Sequence, residues 1–126
     1  MQNLREAKVI AFLCTRDRAR AIHFYKEILG LAVTHEDEFA VVFDANGTML
    51  RVATKPNLRA QEFTVLGWQV DDLAAVIAGL ASKGVCFERF AGMEHDKTGI
   101  WRPSGGATKV VWFKDPDGNL LSLTQF

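Results

Sequence analysis

The chain has 126 residues, the size of one ordinary domain and enough to bury an apolar core without disulfide or metal staples. Its 15 Lys and Arg balance its 15 Asp and Glu, so no net field recruits nucleic acid or an anionic membrane, and the expected partner is a small molecule. Two cysteines, Cys14 and Cys86, are too few for a disulfide framework or a Cys-rich metal cluster and suit a reducing compartment.

In chain order, residues 1–16 carry Arg5, Glu6 and Lys8 where a signal peptide would have an apolar core. No apolar run approaches the ~20 residues that span a bilayer, so a cytoplasmic protein without membrane contact is expected. The run from Val9 to Cys14 reads as a buried strand ending at a helix cap, Thr15-Arg16-Asp17. A helix is predicted over 17–29, with Ala21, Phe24, Tyr25 and Ile28 at helical spacing and Arg16, Arg20, His23 and Glu27 opposite. Strands are predicted over 31–36, 39–43 and 48–54, the last two joined by the hairpin turn Asp44-Ala45-Asn46-Gly47. After a polar linker over 55–61 the order repeats. A strand over 63–70 precedes a helix capped by Asp71 or Asp72, with a Leu73, Val76, Ile77 and Leu80 stripe ending at Gly84.

Asp17 precedes Gly30 by the same interval that separates Asp71 from Gly84, and both glycines lead into apolar strand residues, Leu31/Val33 and Val85/Phe87. Phe43 to Gly47 and Phe113 to Gly118 are matching aromatic-to-glycine turns; their larger offset implies an insertion near 89–106 in the second half. A half-domain with one open sheet cannot bury both of its faces alone. The prediction is therefore an α+β fold: one domain, 1–126, of two βαβββ modules, 7–55 and 62–126, facing each other within one chain or exchanged with a second, whose curved mixed sheet surrounds a cavity. The apolar, charge-poor second helix offers an interface, and a homodimer is expected.

Three stretches carry a family resemblance. Phe24-Tyr25-Lys26-Glu27-Ile28-Leu29-Gly30-Leu31, Val70-Asp71-Asp72-Leu73 and Phe113-Lys114-Asp115-Pro116-Asp117-Gly118-Asn119-Leu120 resemble, in order, motifs of the vicinal oxygen chelate superfamily of glyoxalases, extradiol dioxygenases and bleomycin- and fosfomycin-resistance proteins. The motifs themselves are packing and turn devices and argue fold rather than reaction. The resemblance places the superfamily's four metal ligands, mostly His and Glu, at Ile10, Val65, Arg51 and Ser122. None of these is a usual ligand, so no metal or other cofactor is expected.

Strand alternation puts Phe12 and Cys14 on the face of Ile10, Met49 and Ala53 on that of Arg51, Gly67 and Gln69 on that of Val65, and Leu120 and Thr124 on that of Ser122. The candidate ligand-binding residues are Phe12, Met49, Arg51, Gln69, Trp101, Ser122 and Thr124, a lining that suits an amphipathic molecule with an anionic or carbonyl group. No acid is expected on the strand face beside Arg51, which is read either as the anchor of that group or as a surface or interface arginine paired with an acid. Trp101, in the insertion, either stacks on a ligand from a mobile lid or packs on a partner subunit. His95 with Asp96 or Glu94 reads as an acid–base pair or as a solvated loop histidine, and no catalytic residue is assigned. Trp68 and Trp112 read as core or interface. Two functions stand open: a bleomycin-resistance-like protein that binds a ligand without metal, or a glyoxalase- or dioxygenase-like enzyme, a lyase, isomerase or oxidoreductase, with an atypical site.

Overall fold

In the computed structural model, which describes residues 2–103 and 106–126, the chain divides into two compact units, Met1–Arg59 and Ala60–Phe126. In the first, β1 (Ile10–Thr15) leads through Asp17 into α1 (Arg18–Ile22). Asp17 is an extended N-cap whose carboxylate accepts the Arg20 N–H at 3.2 Å. The helix does not stay α-helical to residue 29. It widens into a π-helical segment, His23–Ile28, where the Leu29 N–H reaches the Phe24 carbonyl at 2.9 Å. That segment carries the aromatic anchor of the unit. Phe24 and Tyr25 meet edge to face at 5.1 Å, and Tyr25 lies 5.7 Å from Phe43 with all three rings buried, so ring packing offsets the poorer helical geometry.

Three further strands follow: β2 (Ala32–Glu36), β3 (Ala40–Ala45) and β4 (Thr48–Thr54). The sheet order is β1-β4-β3-β2, with β1 parallel to β4 and the remaining pairs antiparallel. Asn46 (φ 52°) and Gly47 (φ 91°) close the β3–β4 hairpin with the left-handed backbone of a type I′ turn, and Asp44 accepts the Gly47 N–H at 2.9 Å. One sheet face presents Leu13, Val41, Phe43, Leu50 and Val52 to the helix side, all buried. The other face leaves Ile10, Phe12 and Met49 44%, 65% and 43% exposed.

The second unit repeats the plan with β5 (Thr64–Gln69), α2 (Leu73–Ser82), β6 (Lys109–Lys114) and β7 (Leu120–Gln125) in sheet order β5-β7-β6. Asp72 caps α2 by accepting the Ala75 N–H at 3.1 Å, and β5 runs parallel to β7 as β1 does to β4. Leu73, Ile77 and Leu80 of α2 are buried, as are Val111, Phe113, Leu121 and Leu123 of the sheet. Leu120, expected on the open face with Ser122, is buried too. The strand predicted after Gly84 is not formed: only Phe87 bridges Phe113, and Glu88 N–H bonds Trp112 carbonyl at 2.8 Å, before the chain leaves the edge into the insertion. The last hairpin turn is organised by buried Asp115. Its carboxylate accepts the N–H groups of Asp117 and Asn119, each at 2.9 Å, and the Asn119 side-chain amide at 2.8 Å. Among the described residues no helix is long and apolar enough to cross a membrane.

Candidate functional site

The open face of the first sheet holds three of the seven candidate residues. Arg51 lies directly across from Phe12 on β1 and from Val42 on β3, and Met49 lies across from Ile10. Direct cross-strand partners share a face, so a row Phe12, Arg51, Val42 crosses three strands beside the apolar pair Ile10 and Met49. At one end of the sheet, Ile10, Met49, Lys8, Thr34 and Asp44 line a cleft of about 410 Å³. The face is therefore apolar with a guanidinium near its centre.

One acid beyond the end of β2 interacts with the charge of Arg51. Asp37, just past β2, has its carboxyl held below the ordinary aspartate range. The causes are first the N–H groups of Phe39 and Ala40, at 2.8 and 3.0 Å, and then the charges of Arg51 and His35, which together outweigh a smaller opposing effect of burial. Its second oxygen lies 3.5 Å from His35 Nε2.

The remaining candidates, Gln69, Trp101, Ser122 and Thr124, share the open face of the second sheet. Gln69 pairs with Thr124, Thr124 with Val110 and Val110 with Trp101, while Gly67, Ser122 and Trp112 form the adjoining row. Trp101 is tied to β6 by backbone hydrogen bonds of 2.8 and 2.9 Å to Val110. Trp112, read from the sequence as core or interface, is instead the centre of an aromatic cluster on this face: Phe90 at 5.4 Å, Trp101 at 5.9 Å and His95 at 6.3 Å. Its indole N–H donates to Thr64 Oγ1 at 3.1 Å. Its same-face parity with Val110 and Ser122 is the signal that identifies it.

His95 has a structural place. Its Nε2 accepts the Phe90 N–H at 3.1 Å, which leaves Nδ1 as the protonated nitrogen donating to the Gly99 carbonyl at 2.8 Å. With both nitrogens engaged it clips the insertion together. Asp96, proposed as its acid partner, instead organises the next turn by accepting the N–H groups of Thr98 and Ile100 and the Thr98 hydroxyl at 2.7–3.0 Å. Neither side chain is arranged as an acid–base pair.

A family model for the Glyoxalase/Bleomycin resistance protein/Dioxygenase superfamily matches residues 9–123. The chain belongs to that superfamily. Solved structures agree on the glyoxalase/bleomycin-resistance-like α+β fold. The chain is similar to a bleomycin-binding protein complexed with bleomycin, with 25% identity, TM-score 0.70 and coverage of 95% of this chain and 98% of that one. It is similar also to the fosfomycin resistance protein FosX from Listeria monocytogenes, with 13% identity, TM-score 0.77 and coverage of 96% and 93%. Lactoylglutathione lyase from Agrobacterium tumefaciens matches with 17% identity, TM-score 0.71 and coverage of 95% and 93%. No curated protein matches the chain in sequence.

The residues at the positions where the family resemblance puts metal ligands are not usual ligands of a divalent cation. Ile10 and Val65 end in hydrocarbon, Arg51 brings a fixed positive charge, and only Ser122 offers an oxygen. Among the described residues, no group of three or more His, Cys, Asp or Glu is placed to hold a metal elsewhere.

Proposed function

We propose that this superfamily member binds an amphipathic small molecule carrying an anionic group, without a metal, on the open face around Phe12 and Arg51. The observation that carries the reading is the juxtaposition of a phenyl ring 65% exposed on a sheet face with the guanidinium directly across from it. A large apolar side chain is ordinarily turned inward, and one left open beside a cation suits a ligand with an apolar body and an acidic head. Met49 and Ile10 extend the apolar surface. The open face of the second sheet, described by itself, offers its own polar groups and aromatic platform in Gln69, Ser122, Thr124 and Trp101. The structural likeness to a protein crystallised with bleomycin supports ligand binding as a use of this fold.

Two further parts belong to the reading. The exposed apolar residues Val9, Phe39 and Phe63 support a homodimer, which light scattering at micromolar concentration tests. Cys14 and Cys86 remain thiols, Cys86 exposed, which supports a reducing, cytoplasmic setting.

The function is tested by a thermal-stabilisation screen with aromatic carboxylates, phosphonates, bleomycin and fosfomycin, followed by calorimetry of the best ligand with the wild type and Arg51→Met. Loss of charge-assisted hydrogen bonds in Arg51→Met should weaken an anionic ligand by roughly 1.5–3 kcal/mol. Unchanged affinity would remove Arg51 from the site.

A further inference from the structure

The strand β2 contains one residue too many. Ala32 and Val33 pair in order with Asp44 and Phe43, but the next partner of β3, Val42, pairs with His35 rather than Thr34. Thr34 is the extra residue of a bulge, and its hydroxyl donates to the Val42 carbonyl at 3.4 Å. Because side chains alternate strictly along a strand, one inserted residue exchanges the faces of everything after it. In unbroken register Thr34 would stand in the row of Arg51 and His35 would turn to the helix side. The bulge instead completes a row across all four strands: Phe12, Arg51, Val42 and His35.

Asp37 follows on the same face, two positions on, its Nε2 neighbour His35 at 3.5 Å and its other oxygen fixed by the Phe39 and Ala40 N–H groups. Among the described residues, His35 Nδ1 has no hydrogen-bond partner. Val42, buried, forms a floor between the imidazole and the guanidinium, whose strands are about 9–10 Å apart. Side chains as long as Arg and His reach over one intervening residue toward a common group.

We infer that His35 is a second, protonatable cation of the Arg51 site: a carboxylate or similar oxyanion held by Arg51 is held also by His35 when the imidazole carries its proton, and Asp37 positions that imidazole. The inference rests on the proposed ligand site and names its recognition chemistry and pH control. The charged groups around His35 are Asp37 and Glu36 on its own segment, Glu38 in the following turn, Asp44 on β3 and Arg51 on β4. Glu36 pairs with Arg18 at 3.3 Å, Arg18 also donates to the Asp37 main-chain carbonyl, Asp44 accepts the Gly47 N–H, and the Asp37 carboxylate lies at 3.5 Å from the imidazole. Histidine is the side chain whose ordinary charge change falls between about pH 5 and 8, so anion affinity falls as His35 loses its proton.

The test uses the full chain, with 2-naphthoate as the anionic probe and neutral 2-naphthamide as its control, titrated calorimetrically at about pH 5.5 and about pH 8. The wild type should bind naphthoate about tenfold more tightly at the lower pH, with naphthamide insensitive to pH. His35→Gln should flatten that slope, and Asp37→Asn, which keeps the oxygen that accepts from Phe39 and Ala40, should reduce it. By linkage, naphthoate should raise the titration midpoint of the His35 imidazole followed by NMR. If His35→Gln keeps the wild-type slope, the inference is overturned, while binding that still depends on Arg51 leaves the proposed function standing. If the wild type binds naphthoate at neither pH, the anion site itself is lost and both fall.

Discussion

Gly67 on β5 and Ser122 on β7 are cross-strand partners, and a Cβ at residue 67 would stand 2.5 Å from the Ser122 hydroxyl. The hydroxyl occupies the volume that a Cβ would take, so a side chain at 67 needs Ser122 to turn its hydroxyl away. Gly67→Ala should force Ser122 off its rotamer and cost about 1 kcal/mol in urea denaturation. The double variant Gly67→Ala with Ser122→Gly should recover most of that loss. Equal stability of Gly67→Ala and the wild type would show that the serine gives way without strain.

Acid should open the insertion before it unfolds the sheets. Burial alone would raise the Asp96 pKa, but the Thr98 hydroxyl and the N–H groups of Ile100, Thr98 and Gly99 together outweigh it and hold the carboxyl below the ordinary aspartate value. A carboxyl depressed in the folded state stabilises it fully above the unfolded aspartate value of about 3.9, and that contribution fades as pH falls through the lower folded value. Amide exchange of Thr98 and Ile100 should therefore accelerate below about pH 4, ahead of Leu121 and Leu123. Asp96→Asn should remove the pH dependence.

The Tyr25 ring joins the π-helical segment to β3 through Phe24 and Phe43 and is fully buried. Tyr25→Ala should cost about 3–5 kcal/mol, the range for deleting a buried aromatic ring, and Tyr25→Phe far less. Denaturant midpoints of the two variants measure the difference; a small loss for Tyr25→Ala would mean that the helix is held elsewhere.

Much of this fold is legible in the residues because its punctuation is local. Asp17 and Asp72 cap helices with their own carboxylates, Asn46-Gly47 supplies the positive φ values of a tight hairpin, and Asp115 winds its turn through neighbours in sequence. Features set by pairing are another matter. Nothing about Thr34 distinguishes a bulged residue from an ordinary strand threonine, since the bulge exists only against β3. Likewise Val85 and Phe87 have strand composition, but a strand needs an edge to run along, and the chain leaves that edge after Glu88. That Phe12 shares a face with Ile10 and Met49 with Arg51 follows from alternation along β1 and β4, whereas the place of His35 in the row of Arg51 depends on the bulge at Thr34.

The clip made by His95 gives the sharpest separation between a structural and a catalytic histidine. Its neutral ring accepts from Phe90 N–H through Nε2 and donates to the Gly99 carbonyl through Nδ1, while its face packs at 6.1 Å from Phe90 and 6.3 Å from Trp112. Adding a proton makes both nitrogens donors, so the bond from Phe90 cannot survive with the ring charged. His95→Leu keeps an apolar group against the rings but leaves the Phe90 N–H and the Gly99 carbonyl without this partner, which should cost about 1 kcal/mol because the site is partly open to water. The expected signature is local: faster exchange at the Phe90 amide and altered tryptophan emission from the Trp101–Trp112 pair, with exchange at Val111 and Leu123 unchanged. Affinity for an anionic ligand at the Arg51 face should stay as in the wild type. If His95→Leu instead left Phe90 exchange unaltered and abolished ligand binding, His95 would be a binding residue and the clip incidental.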